Sequence, residues 1–281
     1  MRIVVLSSET PGNTWLVNQF FSRHEIVAMV LERKPLAATA EQKTARRQQM
    51  IRRYGIARTV NKLLFNRLRS RFLSASDART MSESFFPGGA PMRYTRQVPT
   101  LVAPNINDRT VVEFIQRQAP DVLAVCGTSV LKPEVFTLAP KGAINIHTGI
   151  TPEYRSADPI FWALYHGEPD KVGVTVHYVD KGIDTGSIIH QQSVPVYAND
   201  SLASISVRCI RRGAELYSRA LTEIENGTVR TISRDVKGRS FLSVDLGLVQ
   251  YLQFKWRFKR LSARLPRHAG VEGVASLEGA R

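Results

Sequence analysis

Apolar residues in this chain fall into short blocks separated by turn-forming residues, and the period of the blocks changes in a regular order. Residues 2–7 read as a strand buried on both faces, with Ile3-Val4-Val5-Leu6 as its unbroken apolar run. Thr10-Pro11-Gly12-Asn13 reads as a turn with proline early in a helix, and residues 15–22 as that helix. Residues 25–31 are a second β-rich run. The order strand, helix, strand predicts a parallel sheet. Farther along, residues 107–118 read as a helix with Val111, Val112, Phe114 and Ile115 on its apolar side. Residues 121–125 read as a strand, 132–138 as a short helix beginning at Pro133, and 142–146 as a strand. Residues 159–165 read as a helix. Strands are expected over 173–179, which alternates, and over 187–196. A long helix is expected over 201–226, capped by Asp200 or Ser201 and ended by Gly227.

The segment 43–73 has a different character. Met50, Ile51, Tyr54, Ala57, Val60, Leu64, Leu68 and Phe72 recur every three to four residues, with arginines on most other faces. This is a basic amphipathic helix, or two helices broken near Gly55. A helix packed on the core by its apolar stripe and solvated on the other side fits this pattern. So do docking on an anionic membrane, an anionic substrate or nucleic acid. Residues 238–268 repeat the theme, with Phe241, Leu246, Leu252, Phe254, Trp256 and Phe258 among basic residues.

Charge sharpens this division. The net charge is +15. Residues 32–72 hold 12 Lys and Arg against 2 Asp and Glu, and residues 237–269 hold 8 against 1. The rest of the chain, with 19 basic and 21 acidic residues, is almost neutral. The basicity therefore belongs to two local segments. We expect residues 1–236 to form one catalytic domain with a basic helical insertion over about 33–97. Residues 237–281 would be a basic C-terminal extension, disordered from the Gly- and Ala-rich residue 269 onward.

Composition excludes several classes. With 281 residues, 43% hydrophobic, the chain can bury a sizeable core and is not globally disordered. Cys126 and Cys209 make neither a disulfide framework nor a metal spacing; each sits among apolar neighbours and reads as a small buried hydrophobe. No metal ligand set is expected. No apolar run approaches the length of a membrane span, and Met1 to Ser7 is too short for a signal segment. The expected location is the cytoplasm, with peripheral contact at the inner membrane surface as one role for the basic segments. Neither a dinucleotide fingerprint nor a P-loop occurs.

Candidate chemistry concentrates between Gly142 and Gly186. An apolar run ends in Asn145-Ile146-His147. A loop follows with Pro152, Tyr154 and Arg155, and Gly182-Ile183-Asp184-Thr185-Gly186 lies 37 residues beyond His147. Polar side chains at the ends of buried elements are costly unless they are hydrogen-bonded or used. His166, His177 and His190 carry no motif and read as structural or surface residues.

This set of residues resembles the active site of the 10-formyltetrahydrofolate-dependent formyltransferases. The resemblance is clearest over 121–196. It implies an α/β fold: a mostly parallel, Rossmann-like sheet with helices on both faces. It also implies a catalytic trio of Asn145, His147 and Asp184. The Asn145 amide and a His147 ring nitrogen would face the formyl oxygen as it gains charge, while Asp184 orients the imidazole and helps move the amine proton. The folate co-substrate would occupy an apolar slot between Thr128, Ser129, Val130 and Leu131 on one side and Val179, Asp180 and Ile183 on the other. Tyr154 and Arg155 would lie near the acceptor. The loop departs from the family pattern, with Thr148, Gly149, Ile150 and Thr151 where Pro-Ser-Leu-Leu is usual and Ser156 in place of Gly.

The acceptor that best matches is an amino sugar, nucleotide- or lipid-linked, or another small and anionic amine. Methionyl-tRNA formyltransferases carry a further C-terminal domain, whereas after Val236 only a short basic segment remains here, so tRNA fits less well. A formyltetrahydrofolate hydrolase and a non-catalytic RNA- or membrane-binding relative are the other readings.

Overall fold

The computed structural model describes residues 1–34, 39–233 and 238–268. Its centre is a seven-stranded sheet in the order β3-β2-β1-β4-β5-β7-β8. The strands are β1 (Ile3–Ser8), β2 (Ile26–Glu32), β3 (Thr100–Ala103), β4 (Val122–Cys126), β5 (Ala143–His147), β7 (Gly173–Tyr178) and β8 (Ile188–Ser193). The pairs from β3 to β5 are all parallel; β5 with β7 and β7 with β8 are antiparallel. The sheet is therefore mostly parallel, as expected.

Helices cover both faces. One face is packed by α1 (Pro11–Arg23) and the later part of α8 (Leu202–Glu225), through Leu16, Phe20, Tyr217 and Leu221. The other is packed by α5 (Arg109–Gln118) and the short α6 (Pro133–Phe136), through Val111, Ile115 and Val135. Burial on both faces explains the unbroken apolar runs of β1 and β4, which are buried at nearly every position. The chain builds β1, β2 and β3 outward, then returns to place β4 on the other side of β1. A crevice opens at the carboxyl ends of strands where the order reverses in this way. A hydroxyl reinforces the neighbouring pair. Tyr217 Oη accepts from Val125 N at 2.8 Å and donates to Ile144 O at 2.7 Å, bridging β4 and β5.

The insertion forms α2 (Ala40–Tyr54), α3 (Ile56–Leu68), a π-helical turn at Arg69–Leu73 and α4 (Ser74–Phe85). The break falls at Gly55, whose φ of 81° suits glycine. The reading in which the apolar stripe packs on the core holds only in part, with Met50, Ile51, Tyr54 and Leu68 half-buried. Val60, Leu64 and Phe72 are exposed, and α2 buries no residue. The inward positions of α3 are Thr59 and Phe65 instead.

They face the C-terminal segment. α9 (Leu248–Ser262) joins α3, α7 (Pro159–Tyr165) and the start of α8 in a third core. Phe161 and Phe254 meet at 4.8 Å between ring centroids. Asn61 accepts from Val249 N at 3.0 Å and donates to Gln250 at 2.8 Å; Lys62 donates to Leu246 O. A small parallel sheet adds to the join, β6 (Tyr154–Ser156) with β9 (Arg239–Phe241). Residues 239–262 are therefore packed against the earlier part of the chain. The expectation of disorder from residue 269 lies outside the described residues.

Phe254→Ala should destabilise the whole protein by about 3–5 kcal/mol, the scale for emptying an aromatic core site. Denaturant unfolding measures this. A cost below about 1 kcal/mol would mean that α9 is only loosely attached.

Candidate active site

β5 ends at the crevice, and the period of two puts Asn145 and His147 on the same face of that strand. The antiparallel register pairs Asn145 with His177 of β7. Directly paired side chains on one face lie close enough to interact, and Asn145 Nδ2 lies 3.4 Å from His177 Nε2. After β7 the chain folds back on itself. Gly186 permits this return, since a Cβ there would lie 1.8 Å from Tyr178 O. The turn is braced by Asp180, whose carboxylate accepts from Gly182 N at 2.9 Å and from the Thr185 hydroxyl at 2.6 Å. At its tip Asp184 takes a left-handed φ of 52°. Its carboxylate reaches His147 Nδ1 at 3.4 Å with one oxygen and His177 Nε2 at 3.5 Å with the other.

The structure thus brings Asn145, His147 and Asp184 together, and adds His177. The sequence reading set His177 aside as structural. Only its pairing register reveals it, because no local motif marks the residue. His177 Nδ1 donates to Tyr178 O at 2.7 Å, which leaves Nε2 to accept from Asn145. That contact orients the amide and leaves a second amide hydrogen on the cavity side.

His147 sits differently from the expectation. Its Nε2 donates to Tyr154 O at 3.0 Å, so this nitrogen is committed to the backbone, and Nδ1 faces Asp184. Room for this pose comes from Gly149, where a Cβ would stand 2.7 Å from His147 Nε2. The ring is buried, and burial holds its pKa below the ordinary value; Asp184 and the Tyr154 carbonyl oppose this only in part. A neutral imidazole with its lone pair toward a carboxylate is a place where one proton can be received. Asn145 is then the side chain that can donate to an oxyanion.

A cavity of about 550 Å³ opens beside these four groups. Thr128, Ser129, Val130 and Leu131 line one side, and Val179, Asp180 and Ile183 the other, so both expected loops face it. The first loop is braced by two residues that sequence reasoning did not single out. Glu32, buried at the end of β2, accepts from Ser129 N at 2.7 Å and from Ile106 N at 3.3 Å. Asn107 donates to Val130 O and accepts from Lys132 N. Ordered backbone and apolar side chains around a deep slot suit a flat heteroaromatic ligand.

Tyr154 must be corrected. Its side chain is fully buried, donates to Glu168 at 2.7 Å and accepts from Arg239 at 2.6 Å. It cannot reach a ligand; its part in the site is its backbone carbonyl. Arg155 lies outside the main cavity, on a smaller one of about 270 Å³ whose wall also includes Asp184. Among the described residues no group of three His, Cys, Asp or Glu side chains is placed to hold a metal ion.

The formyl transferase family model matches residues 1–221. The chain belongs to that family. Its curated relatives include methionyl-tRNA formyltransferases. That of Syntrophus aciditrophicus is 36% identical over 130 residues, covering 46% of this chain and 41% of its own. That of Alkaliphilus oremlandii is 29% identical over 168 residues, covering 58% and 54%. The chain spans about half the length of the curated relatives it matches. Two solved structures share the fold. A sugar N-formyltransferase from Shewanella has a TM-score of 0.55 at 15% identity, over 92% of this chain and 87% of its own. Glycinamide ribonucleotide transformylase 1 from Symbiobacterium toebii has a TM-score of 0.54 at 20% identity, over 83% and 94%.

Because burial opposes the imidazolium of His147, the folded chain binds that proton less readily than the unfolded one. Stability contributed here is complete above about pH 6.5 and declines as pH falls below it. NMR titration of the His147 ring, assigned with His147→Gln, should give a midpoint below about 6.5. A midpoint above that value would show that Asp184 holds the ring as imidazolium.

Proposed function

We propose that this protein is an N-formyltransferase moving a formyl group from 10-formyltetrahydrofolate to the primary amine of an amino sugar, nucleotide- or lipid-linked, or of a similar small anionic acceptor. The observation that carries the reading is the Asp184 carboxylate, within 3.5 Å of two buried histidines at one end of a cavity that both expected folate loops line. The apolar slot, with backbone groups held by Glu32 and Asn107, suits a pterin ring. The co-substrate supplies an electrophilic formyl carbon, and the protein supplies the rest. Asn145 donates to the formyl oxygen as charge builds there. As the amine nitrogen bonds to the formyl carbon, His147 Nδ1 and Asp184 take the proton it gives up, and they return one to N10 as the C–N10 bond breaks and tetrahydrofolate leaves. His177 holds the Asn145 amide in its donating orientation.

Two further observations bear on where the acceptor is met. Ile56, Val60 and Leu64 form an exposed stripe on α3 at four-residue spacing, with Arg58 and Arg67 on the same helix. On α9, Trp256 is 56% exposed with the Arg260 guanidinium over its ring. Apolar and aromatic residues among cations are the signature of peripheral binding to an anionic membrane. No helix among the described residues is long and apolar enough to cross one. We place the protein in the cytoplasm, at the inner membrane surface. A tRNA acceptor is the second reading, favoured by the names of the curated relatives and by the same basic helices.

An amine panel incubated with 10-formyltetrahydrofolate, following both formate and tetrahydrofolate, tests the activity. It should contain amino sugars and methionyl-tRNA. His147→Ala and Asp184→Ala should each lower turnover at least about 100-fold. Full turnover in both would show the trio to be misassigned. Neutralising Arg46, Arg47, Arg52 and Arg53 on exposed α2 should weaken binding to phosphatidylglycerol vesicles, and more so at low salt. Transfer to an uncharged soluble amine should not change. Unaltered vesicle binding would reduce α2 to a solvated helix.

A further inference from the structure

A second cavity of about 380 Å³ lies where the inserted helices meet α7, α8 and the start of α9. Thr148, the residue after His147, lines both cavities. Two other parts of the chain pass from one wall to the other. Ala157 lines the first cavity and Asp158 the second; on α8, Ile210 lines the first and Ser206, one turn earlier, the second. The two cavities are therefore neighbours, with Thr148 between them beside His147.

The wall of the second chamber has a definite chemistry. Phe65 of α3, Phe161 of α7 and Tyr251 of α9 are its aromatic residues, of which the half-buried Tyr251 is the more open. Asp77, Asp158 and Ser206 provide oxygen acceptors, and exposed Arg69 stands at the rim. Asp158 is the informative residue. It precedes the first turn of α7 with a left-handed φ of 55°, yet makes no side-chain cap. A non-glycine residue held in that conformation is uncommon and costs energy. Asp158 lines the chamber, and its side chain does not cap the helix.

We infer that this second chamber, built by the insertion and the C-terminal helix, is the acceptor site, and that it takes an amino sugar linked to phosphate. The inference rests on the proposed transfer to an amine. The C–H face of a sugar ring lies on aromatic surface, its hydroxyls bond to carboxylates, and its phosphate meets Arg69 at the rim. The amine then points past Thr148 toward Asn145 and His147. The donor keeps the first chamber, where the described residues from the insertion do not reach. The extra helices thus select the acceptor.

The test uses the full-length protein and two probes, a nucleotide-linked 4-amino-4,6-dideoxyhexose and its polyprenyl-phosphate-linked counterpart. Ser206→Phe fills the chamber, and Asp158→Asn keeps its shape and tolerates the left-handed backbone. Both should raise the KM for whichever sugar is used at least about 10-fold. Affinity for 10-formyltetrahydrofolate and its slow hydrolysis to formate should stay within about twofold. The probe that turns over tells a nucleotide link from a lipid link. If Ser206→Phe fails to fold, Asp158→Asn alone decides. An unchanged sugar KM in a folded variant would overturn the acceptor chamber while leaving the proposed activity intact, because the wild type still forms the formamide. A loss of donor affinity instead would mean that the chamber holds the folate, which also overturns the inference. If the wild type binds 10-formyltetrahydrofolate but formylates neither sugar, the amino-sugar reading itself falls, and this inference falls with it.

Discussion

The carboxyl end of β5 carries two polar side chains into a largely apolar sheet, and much of the surrounding structure serves to satisfy them. Buried polar groups without partners cost on the order of 1–3 kcal/mol each. Asn145 finds its partner across the antiparallel register, in His177. His147 finds one in the Tyr154 carbonyl, and its Nδ1 faces Asp184, which becomes a partner when that nitrogen takes a proton. Each solution imposes a local shape. Asp184 reaches inward only because the turn after β7 doubles back over Tyr178 O, and Gly186 alone allows that approach. The His147 ring turns toward Tyr154 only because Gly149 leaves space. The switch from parallel to antiparallel pairing at β5 and β7 is thus part of the site, because it sets Asn145 opposite His177.

The same constraint explains what Tyr154 does. Its ring belongs to a buried cluster with Phe241, and its hydroxyl to a bridge with Glu168 and Arg239. Burial raises the phenol's pKa, so it remains a neutral donor to the Glu168 carboxylate. This anchor fixes β6, and β6 fixes the carbonyl that holds His147. Arg239, also in that bridge, comes from the C-terminal segment. A residue 85 positions later in the chain therefore helps to orient the imidazole. A catalytic body that ended before it would lose the support of its own active-site loop.

Much of the fold was legible because its signals are local. Buried parallel strands show as apolar runs, and the long helix announced itself through Ser201 and Gly227. The Asn-x-His and Asp-x-Gly motifs marked three of the four polar site residues. What escaped notice depends on distant pairing. β6 and β9 are three residues each, and neither has a pattern until they meet. β3 is a four-residue edge strand. His177 gains its place from register, and Glu32 from where β2 ends. The amphipathic stripe of 43–73 left its own partner open for a related reason. Periodicity finds the apolar face of a helix, and that face is normally the buried one. Here α3 turns Phe65, Asn61 and Lys62 inward, toward α9, and leaves Ile56, Val60 and Leu64 outside. A local pattern cannot anticipate a partner helix nearly two hundred residues away.

The distribution of charge follows from that partnership. The two basic segments pack against each other, and like charges brought together repel unless they stay solvated or are paired. Both remedies are present. Arg58 pairs with Asp245, the sole acidic residue of the C-terminal segment among those described. Lys62 spends its ammonium on the Leu246 carbonyl, and burial lowers its pKa. Arg257 and Arg260 lie over aromatic rings. Arg239 joins the bridge with Tyr154 and Glu168, and Arg46, Arg47, Arg52 and Arg53 stay exposed. The contact is thus held by apolar rings and a few hydrogen bonds, and its outer surface keeps a dense positive field. A near-neutral sheet does the work of placing Asn145, His147 and Asp184. The charged module attached to it walls the second cavity, and through Arg239 it also braces the loop whose carbonyl holds His147, so the two parts are coupled.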